Sequence, residues 1–348
     1  MKKIVILIML MALLSCRNDS RKSFLDLFND SIVAKTNLID EFPIDSLGNP
    51  VAIMSIRNCV LFSEPKLSHL MMSYDLKRKS ITRFLPKGQG IKEAIDIQTL
   101  GKGPYPNSIY ALDVLSQSIF LFSLKGDKIQ ILGKDSIMPD AQFASVAYDR
   151  DLVFFLTIGT PNRFSLRLGD HFMNVGENLC IANIPSEVVS RTLQGPCCLS
   201  SERKRIVWFS IYGDAMEIYD YSNLNKIKVI TSKLICPPVF DMAGGRNNGA
   251  LDRKTKLSVA SVTSDDDYIY ALYNGHVLED AVGSRDDILL SNKLLVFDWE
   301  GTPCMAIKLD RPIKSITYDK KEHLILALGL NEKKDFALYS FPIKKYIQ

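Results

Sequence analysis

The chain has 348 residues, 47% of them hydrophobic and 24% charged, with a mean hydropathy of +0.04. That supply of core-forming side chains excludes a largely disordered or collagenous protein. Lys and Arg number 43 against 39 Asp and Glu, a formal charge of +4 that falls to +2 once Lys2 and Lys3 leave with a leader. Such a balance argues against a nucleic-acid partner.

The leader comes first. Lys2 and Lys3 precede an unbroken apolar run over residues 4–14, followed by Ser15 and Cys16. This is the layout of a secretory signal peptide, and the run is too short for the roughly twenty residues of a membrane-spanning helix. Leu13-Leu14-Ser15-Cys16 resembles a bacterial lipobox, in which a small residue before cysteine permits cleavage and the thiol accepts diacylglycerol. Residues 1–15 are therefore expected to be a lipoprotein signal peptide, with Cys16 as the lipidation site. Residues 16–30 follow as a tether, polar and mixed in charge from Arg17 to Lys22. A multiply acylated terminus gives stable anchoring in a membrane. The absence of an acidic run after Cys16 favours a periplasm-facing protein of the bacterial envelope.

From residue 31 to residue 348 the pattern is that of one all-β domain: short alternating apolar runs broken by polar turns, with no sustained helical periodicity. Ser145-Val146-Ala147-Tyr148-Asp149-Arg150-Asp151-Leu152-Val153-Phe154-Phe155 has the same layout as Ile316-Thr317-Tyr318-Asp319 followed by His323-Leu324-Ile325-Leu326. It recurs around Glu202-Arg203-Lys204-Arg205 and around Asp265-Asp266-Asp267. Second turns repeat at Tyr74-Asp75, Tyr219-Asp220 and Phe297-Asp298. Four strands in each roughly 40–55-residue unit predict a β-propeller. Units starting near residues 51, 108, 144, 196, 257 and 313 give six blades, the second short and lacking a strand; seven blades is the alternative. A strand over residues 32–42 is expected to close the ring beside 336–341, because an open sheet edge would invite aggregation.

Three stretches carry a family resemblance: Tyr268-Ile269-Tyr270-Ala271-Leu272-Tyr273-Asn274-Gly275, Val296-Phe297-Asp298-Trp299-Glu300-Gly301, and Gly101-Lys102-Gly103-Pro104. They resemble the TolB-like six-bladed propeller lipoproteins of the bacterial envelope, over most of the mature chain and most specifically over residues 267–328. Members carry a basic residue after the Asn-Gly pair, where this chain has His276. The resemblance implies a fold and an export route, and no particular chemistry.

In a propeller, connections between second and third strands and between successive blades emerge on one face. The long stretches 86–107, 177–195, 231–256 and 275–291 are expected there, with short charged hairpins opposite. Long loops on a rigid ring are where binding resides. The candidate ligand-binding residues are Gln89, Lys102 and Tyr105; Arg246, Asn247 and Asn248; and His276, Glu279, Asp280 and Arg285. Each alone is an ordinary solvated loop residue, and the grouping carries the expectation of a polar ligand: a glycan, a peptide or an envelope protein.

Catalytic, cofactor and metal signals are poor. His69, His171, His276 and His323 lack zinc-site spacing. Asp265-Asp266-Asp267 lacks the distal glutamate of a calcium loop and reads as a hairpin turn. The glycine pairs at 88–90 and 101–103 lack a phosphate-loop context. Cys59, Cys180, Cys197, Cys198, Cys236 and Cys304 read as buried thiols, and adjacent Cys197 and Cys198 should point to opposite sides of a strand. The expectation is a lipid-anchored binding or scaffold module with neither metal nor cofactor. The alternative is an envelope hydrolase or lyase with its site in the central tunnel.

Overall fold

The structure, a computed structural model, describes residues 22–125, 128–135, 137–241, 251–280 and 288–347. Two strands near the N-terminus, β1 (Ser31–Ala34) and β2 (Asn37–Phe42), belong to sheets completed much later in the chain. The first blade is β3 (Ala52–Ile56), β4 (Cys59–Ser63), β5 (His69–Asp75) and β6 (Ser80–Pro86). The second is β7 (Ile97–Lys102), β8 (Ser108–Asp113), β9 (Ser118–Lys125) and β10 (Lys128–Asp135). The third is β11 (Phe143–Asp149), β12 (Leu152–Thr157), β13 (Asn162–Leu168) and β14 (His171–Glu177). The fourth is β15 (Cys197–Ser200), β16 (Arg205–Phe209), β17 (Asp214–Asp220) and β18 (Lys228–Cys236).

The remaining strands form one eight-stranded sheet, in which β19 (Val259–Ser264), β20 (Tyr268–Tyr273) and β21 (Ser291–Asp298) lead into a 17-residue strand, β22 (Pro303–Asp319). The first half of β22 pairs with β21 as the outer strand of one blade, and its second half pairs with β23 (Leu324–Leu330) as the inner strand of the next. β24 (Phe336–Phe341) and then β2 complete that last blade, with Phe42 opposite Phe336 and Asn37 opposite Ser340. The pairing therefore resolves into six four-stranded groups, closed by an N-terminal strand. Only 37–42 of the expected closing strand serves that purpose, because β1 instead pairs in parallel with β22 outside the fifth blade.

Position in a blade explains the burial patterns. The middle strand β8 is sandwiched between blades and buried at all six positions, whereas outer β10 alternates exposed and half-buried positions along Lys128–Asp135. The inner strands β3, β7, β11, β15, β19 and β22 neighbour one another in that order around the axis. Small hydroxyl residues let them approach closely and satisfy one another's backbone groups. Ser55 N–H donates to Thr317 Oγ1 at 3.1 Å, Ile316 N–H to Ser261 Oγ at 3.2 Å, and Tyr318 N–H to Thr263 Oγ1 at 3.0 Å.

Two expectations need correction. The second blade starts at Ile97 and not near 108, and it lacks no strand. Residues 23–28, assigned by sequence to a free tether, are docked: Phe24 is fully buried between the fourth and fifth blades, its ring 6.0–6.2 Å from those of Phe209, Tyr273 and Phe297. Its backbone N–H donates to Asp214 Oδ2 at 3.0 Å, the oxygen that also accepts the Tyr273 hydroxyl at 3.0 Å.

Neighbouring blades are also tied by charge. Arg167 of β13 makes a two-pronged pair with Asp135 at the end of β10, 2.7 Å on each prong, and the Tyr148 hydroxyl adds a third bond at 2.8 Å. Burial pushes the Asp135 carboxyl up, but the hydrogen bonds from Arg167 and Tyr148 outweigh it and hold the group below its ordinary value. A carboxylate depressed in the folded state contributes stability that is present above its unfolded pKa and lost as pH falls through the folded one. Asp135→Asn should therefore lower the midpoint of thermal unfolding at pH 7, and the gap to the unaltered chain should narrow below about pH 3.8. A gap that stays constant down to about pH 2 would show that Asp135 acts by packing alone.

Candidate functional site

The topology sorts the connections between two faces. The β6–β7, β14–β15, β18–β19 and β20–β21 connections lie on one face, and the hairpins joining first to second and third to fourth strands lie on the other. Three of the four long stretches thus fall on a common face, as expected, although β18 runs to Cys236 and shortens one of them. The fourth, 86–107, is divided. Gln89 is exposed in the β6–β7 connection on the long-connection face. Lys102, at the end of β7, and Tyr105, 59% exposed at the tip of the β7–β8 hairpin, lie on the opposite face and do not join the other candidates.

His276, Glu279 and Asp280 are exposed in the β20–β21 connection. Their segment is stitched to residues 251–258 of the neighbouring connection: Leu257 N–H donates to His276 O at 2.8 Å, Leu278 N–H to Thr255 O at 2.9 Å and Glu279 N–H to Arg253 O at 2.8 Å. Buried Asn274 anchors the knot, its amide donating to the carbonyls of Ile288 and Leu290 and its Oδ1 accepting the His276 N–H. Two long connections therefore behave as one ordered platform. Arg246, Asn247, Asn248 and Arg285, like Cys16, lie outside the described residues.

Beside this face is a cleft of about 600 Å³ between the third and fourth blades, within the ordinary range for ligand sites. It reaches the long-connection rim through Glu177, Asn178 and Cys180 and has Glu217 of β17 at its floor. Glu217 is only 3% exposed, and Arg163 of β13 is 1% exposed. Arg163 Nε lies 2.7 Å from Glu217 Oε2, and the Tyr219 hydroxyl donates to the same oxygen at 3.0 Å. On its other side the guanidinium stacks 3.7 Å from the centre of the Trp208 ring. Gly176 is required beside this network: its φ is +66°, and a Cβ there would lie 2.4 Å from the Tyr219 hydroxyl oxygen. None of these residues was singled out from sequence. The available signal was a charged residue within each of two largely buried strands, Arg163 in Asn162–Leu168 and Glu217 in Asp214–Asp220.

The axis offers much less room. A cavity of about 80 Å³ lies there, bounded by inner-strand residues including Met54, Lys102, Val146, Cys198 and Thr263. Water occupies about 30 Å³ per molecule in the liquid, and ligand pockets start near 300 Å³. The space suits a few waters and not a sugar or lactone. Burial pushes the Cys197 thiol up to about 11 and the Cys198 thiol up to about 12, so both stay protonated at neutral pH. As expected they face opposite ways, Cys197 packing with third-blade residues and Cys198 with fifth-blade residues. Lys102 is exposed as a residue and lines this cavity, and protein crowding its ammonium lowers its pKa by desolvation. Cys180 and Cys304 are exposed, contrary to the expectation of buried thiols.

Asp265 confirms the turn reading of its acidic run. Its Oδ1 accepts the N–H groups of Asp267 and Tyr268 at 2.8 and 2.7 Å, and its Oδ2 accepts the Tyr270 hydroxyl at 2.8 Å. Among the described residues no group of three or more His, Cys, Asp or Glu side chains is arranged to hold a metal ion.

A sequence profile described as TolB-like 6-blade propeller-like matches residues 27–321. Among solved structures, a member of the DUF4221 family from Bacteroides vulgatus superposes with a TM-score of 0.58 at 11% identity, covering 88% of this chain and 96% of that one. A putative exported protein from Bacteroides fragilis superposes with a TM-score of 0.55 at 9% identity, covering 88% and 94%. At such identities the likeness is one of fold. Among proteins of curated function, none matches this sequence.

Proposed function

Because the chain belongs to the TolB-like 6-blade propeller-like family, we propose that it is a binding module of the bacterial envelope, held at the membrane by a lipid on Cys16 and recruiting a polar ligand or partner protein through its long-connection face. The leader, the lipobox-like Leu13-Leu14-Ser15-Cys16 and the exported Bacteroides fragilis protein of similar fold support the address. The observation that carries the binding role is the cross-stitched platform of residues 251–258 and 273–280 on the same rim as the 600 Å³ cleft. A surface ordered before its partner arrives loses little conformational entropy on binding. Gln89, His276, Glu279 and Asp280 are the proposed contacts among the described residues. Arg246, Asn247, Asn248 and Arg285 extend the proposal within the same connections.

The test is photo-crosslinking in intact cells from single probes at Gln89, at His276 and, as an opposite-face control, at Tyr105. Reproducible adducts from the first two and none from the third are expected. Adducts from Tyr105 alone, or from no position, would overturn the assignment of the face. Cys16→Ser should shift the protein from the membrane fraction to the soluble fraction.

A further inference from the structure

We infer that the cleft between the third and fourth blades receives a cation at the end of an aliphatic stem, the side chain of a lysine or arginine presented by a partner protein. The inference deepens the proposed binding role and rests on it for the identity of the partner as a protein. Its basis is the imbalance of hydrogen-bonding groups around the cleft.

Glu217 Oε2 is fully engaged by Arg163 and the Tyr219 hydroxyl. Among the described residues Oε1 receives only the Ser232 hydroxyl, at the long distance of 3.4 Å, and Ser232 itself lines the cleft. Oε1 thus keeps lone pairs to spare on a residue that lines the cleft. Asn178 uses its amide nitrogen on the Thr160 carbonyl, which leaves its Oδ1 buried with no hydrogen-bond partner among the described residues. A buried acceptor without a donor costs about 1–3 kcal/mol, so a donor brought by a ligand is favoured there. Glu177, exposed at the mouth, adds a third acceptor.

The charges agree with the hydrogen bonds. Arg163 neutralises Glu217 from beneath and does not line the cleft, so Glu177 leaves the lining with one net negative charge and no lysine or arginine to oppose it. The net charge disfavours an anion. Arg163 Nη2 is also a buried donor without a partner among the described residues, but Arg163 does not line the cleft, whereas Asn178 does, and a neutral acceptor such as a carbonyl would leave Asn178 Oδ1 unsatisfied. An ammonium offers three donors and a guanidinium five. Leu179 and Val229, the latter 50% exposed, supply apolar walls for the methylenes that precede the charge.

Cys180 is an exposed thiol on the rim, and Cys304, also exposed, is absent from the lining. The pair allows an internally controlled test on the mature chain: the rate of maleimide labelling at Cys180 relative to Cys304. The probes are Nα-acetyl-lysine methylamide, Nα-acetyl-arginine methylamide, the norleucine counterpart and cadaverine. The lysine and arginine amides are expected to protect Cys180 saturably and the norleucine amide not to. Glu177→Gln and Asn178→Ala should each weaken protection about tenfold, the worth of one charge-assisted hydrogen bond.

Protection by cadaverine equal to that by the lysine amide would keep the cation site but assign it to free amines, overturning the peptide source. Equal protection by norleucine, no protection by any probe, or protection unaffected by both variants would overturn the inference. Failure here with crosslinks still forming from Gln89 and His276 removes the cleft alone. Cation protection without such crosslinks removes the platform reading alone.

Discussion

Phe24→Ala should cost about 3–5 kcal/mol of folding stability, the range for truncating a fully buried phenylalanine. The residue lies in a stretch that, by sequence position, is expected to be an inert linker. It is nevertheless 0% exposed and makes edge-on contacts with three aromatic rings drawn from β16, β20 and β21. The loss would leave a void between the fourth and fifth blades, beside Asp214, whose Oδ2 bonds the backbone N–H of residue 24. Asp214 is fully buried, and among the described residues its Oδ1 has no well-formed hydrogen bond. Burial holds its carboxyl above the ordinary value, although hydrogen bonds from Phe24 and Tyr273 work against the shift. Urea unfolding followed by circular dichroism measures the effect, and Trp299 in the same cluster supplies a fluorescence signal. A change under about 1 kcal/mol would mean that the segment is not part of the core.

Arg163→Met is the second large effect, again about 3–5 kcal/mol, because it leaves the Glu217 carboxylate buried without its counter-charge. Stacking on Trp208 is lost as well. The informative comparison is the double variant Arg163→Met, Glu217→Leu. With both charges gone there is nothing left to desolvate, so the double variant should recover most of the stability lost by the single one. If the two losses simply add, the residues act through independent packing and the ion pair has no energetic meaning. The same double variant removes the floor of the cleft, so it should abolish cation protection of Cys180 while the chain stays folded.

The repeat and its closure were legible because they rest on alternation and on turn chemistry. The layout around Asp149-Arg150-Asp151 and Asp319 is visible in one dimension, and the structure builds hairpins there. β7 was not legible, for a specific reason. Its sequence ends Leu-Gly-Lys and runs on into Gly-Pro, which reads as a turn. Gly101 is in fact a strand residue with a neighbour's ring against it: a Cβ there would sit 2.3 Å from the Tyr110 side chain. Misplacing that strand also put Lys102 and Tyr105 on the wrong face. The docked N-terminal segment did leave a trace, Phe24-Leu25-Asp26-Leu27-Phe28, too apolar for a solvated tether. The charges within β13 and β17 were visible, but the cleft they build was not, because Arg163 and Glu217 are 54 residues apart and meet only when two blades pack.

The order in which the N-terminal segment meets the ring has a mechanical consequence. If Cys16 is held in a bilayer, any pull between membrane and cargo enters the domain at residue 22. It must first extract the Phe24 plug and then shear β1 from its parallel partner β22 before it reaches β2, the strand that closes the circle. Beyond that point, β22 passes through two blades without a joint, so the fifth and sixth share the load as one piece. The seam of the ring is thus shielded by two sacrificial attachments in series.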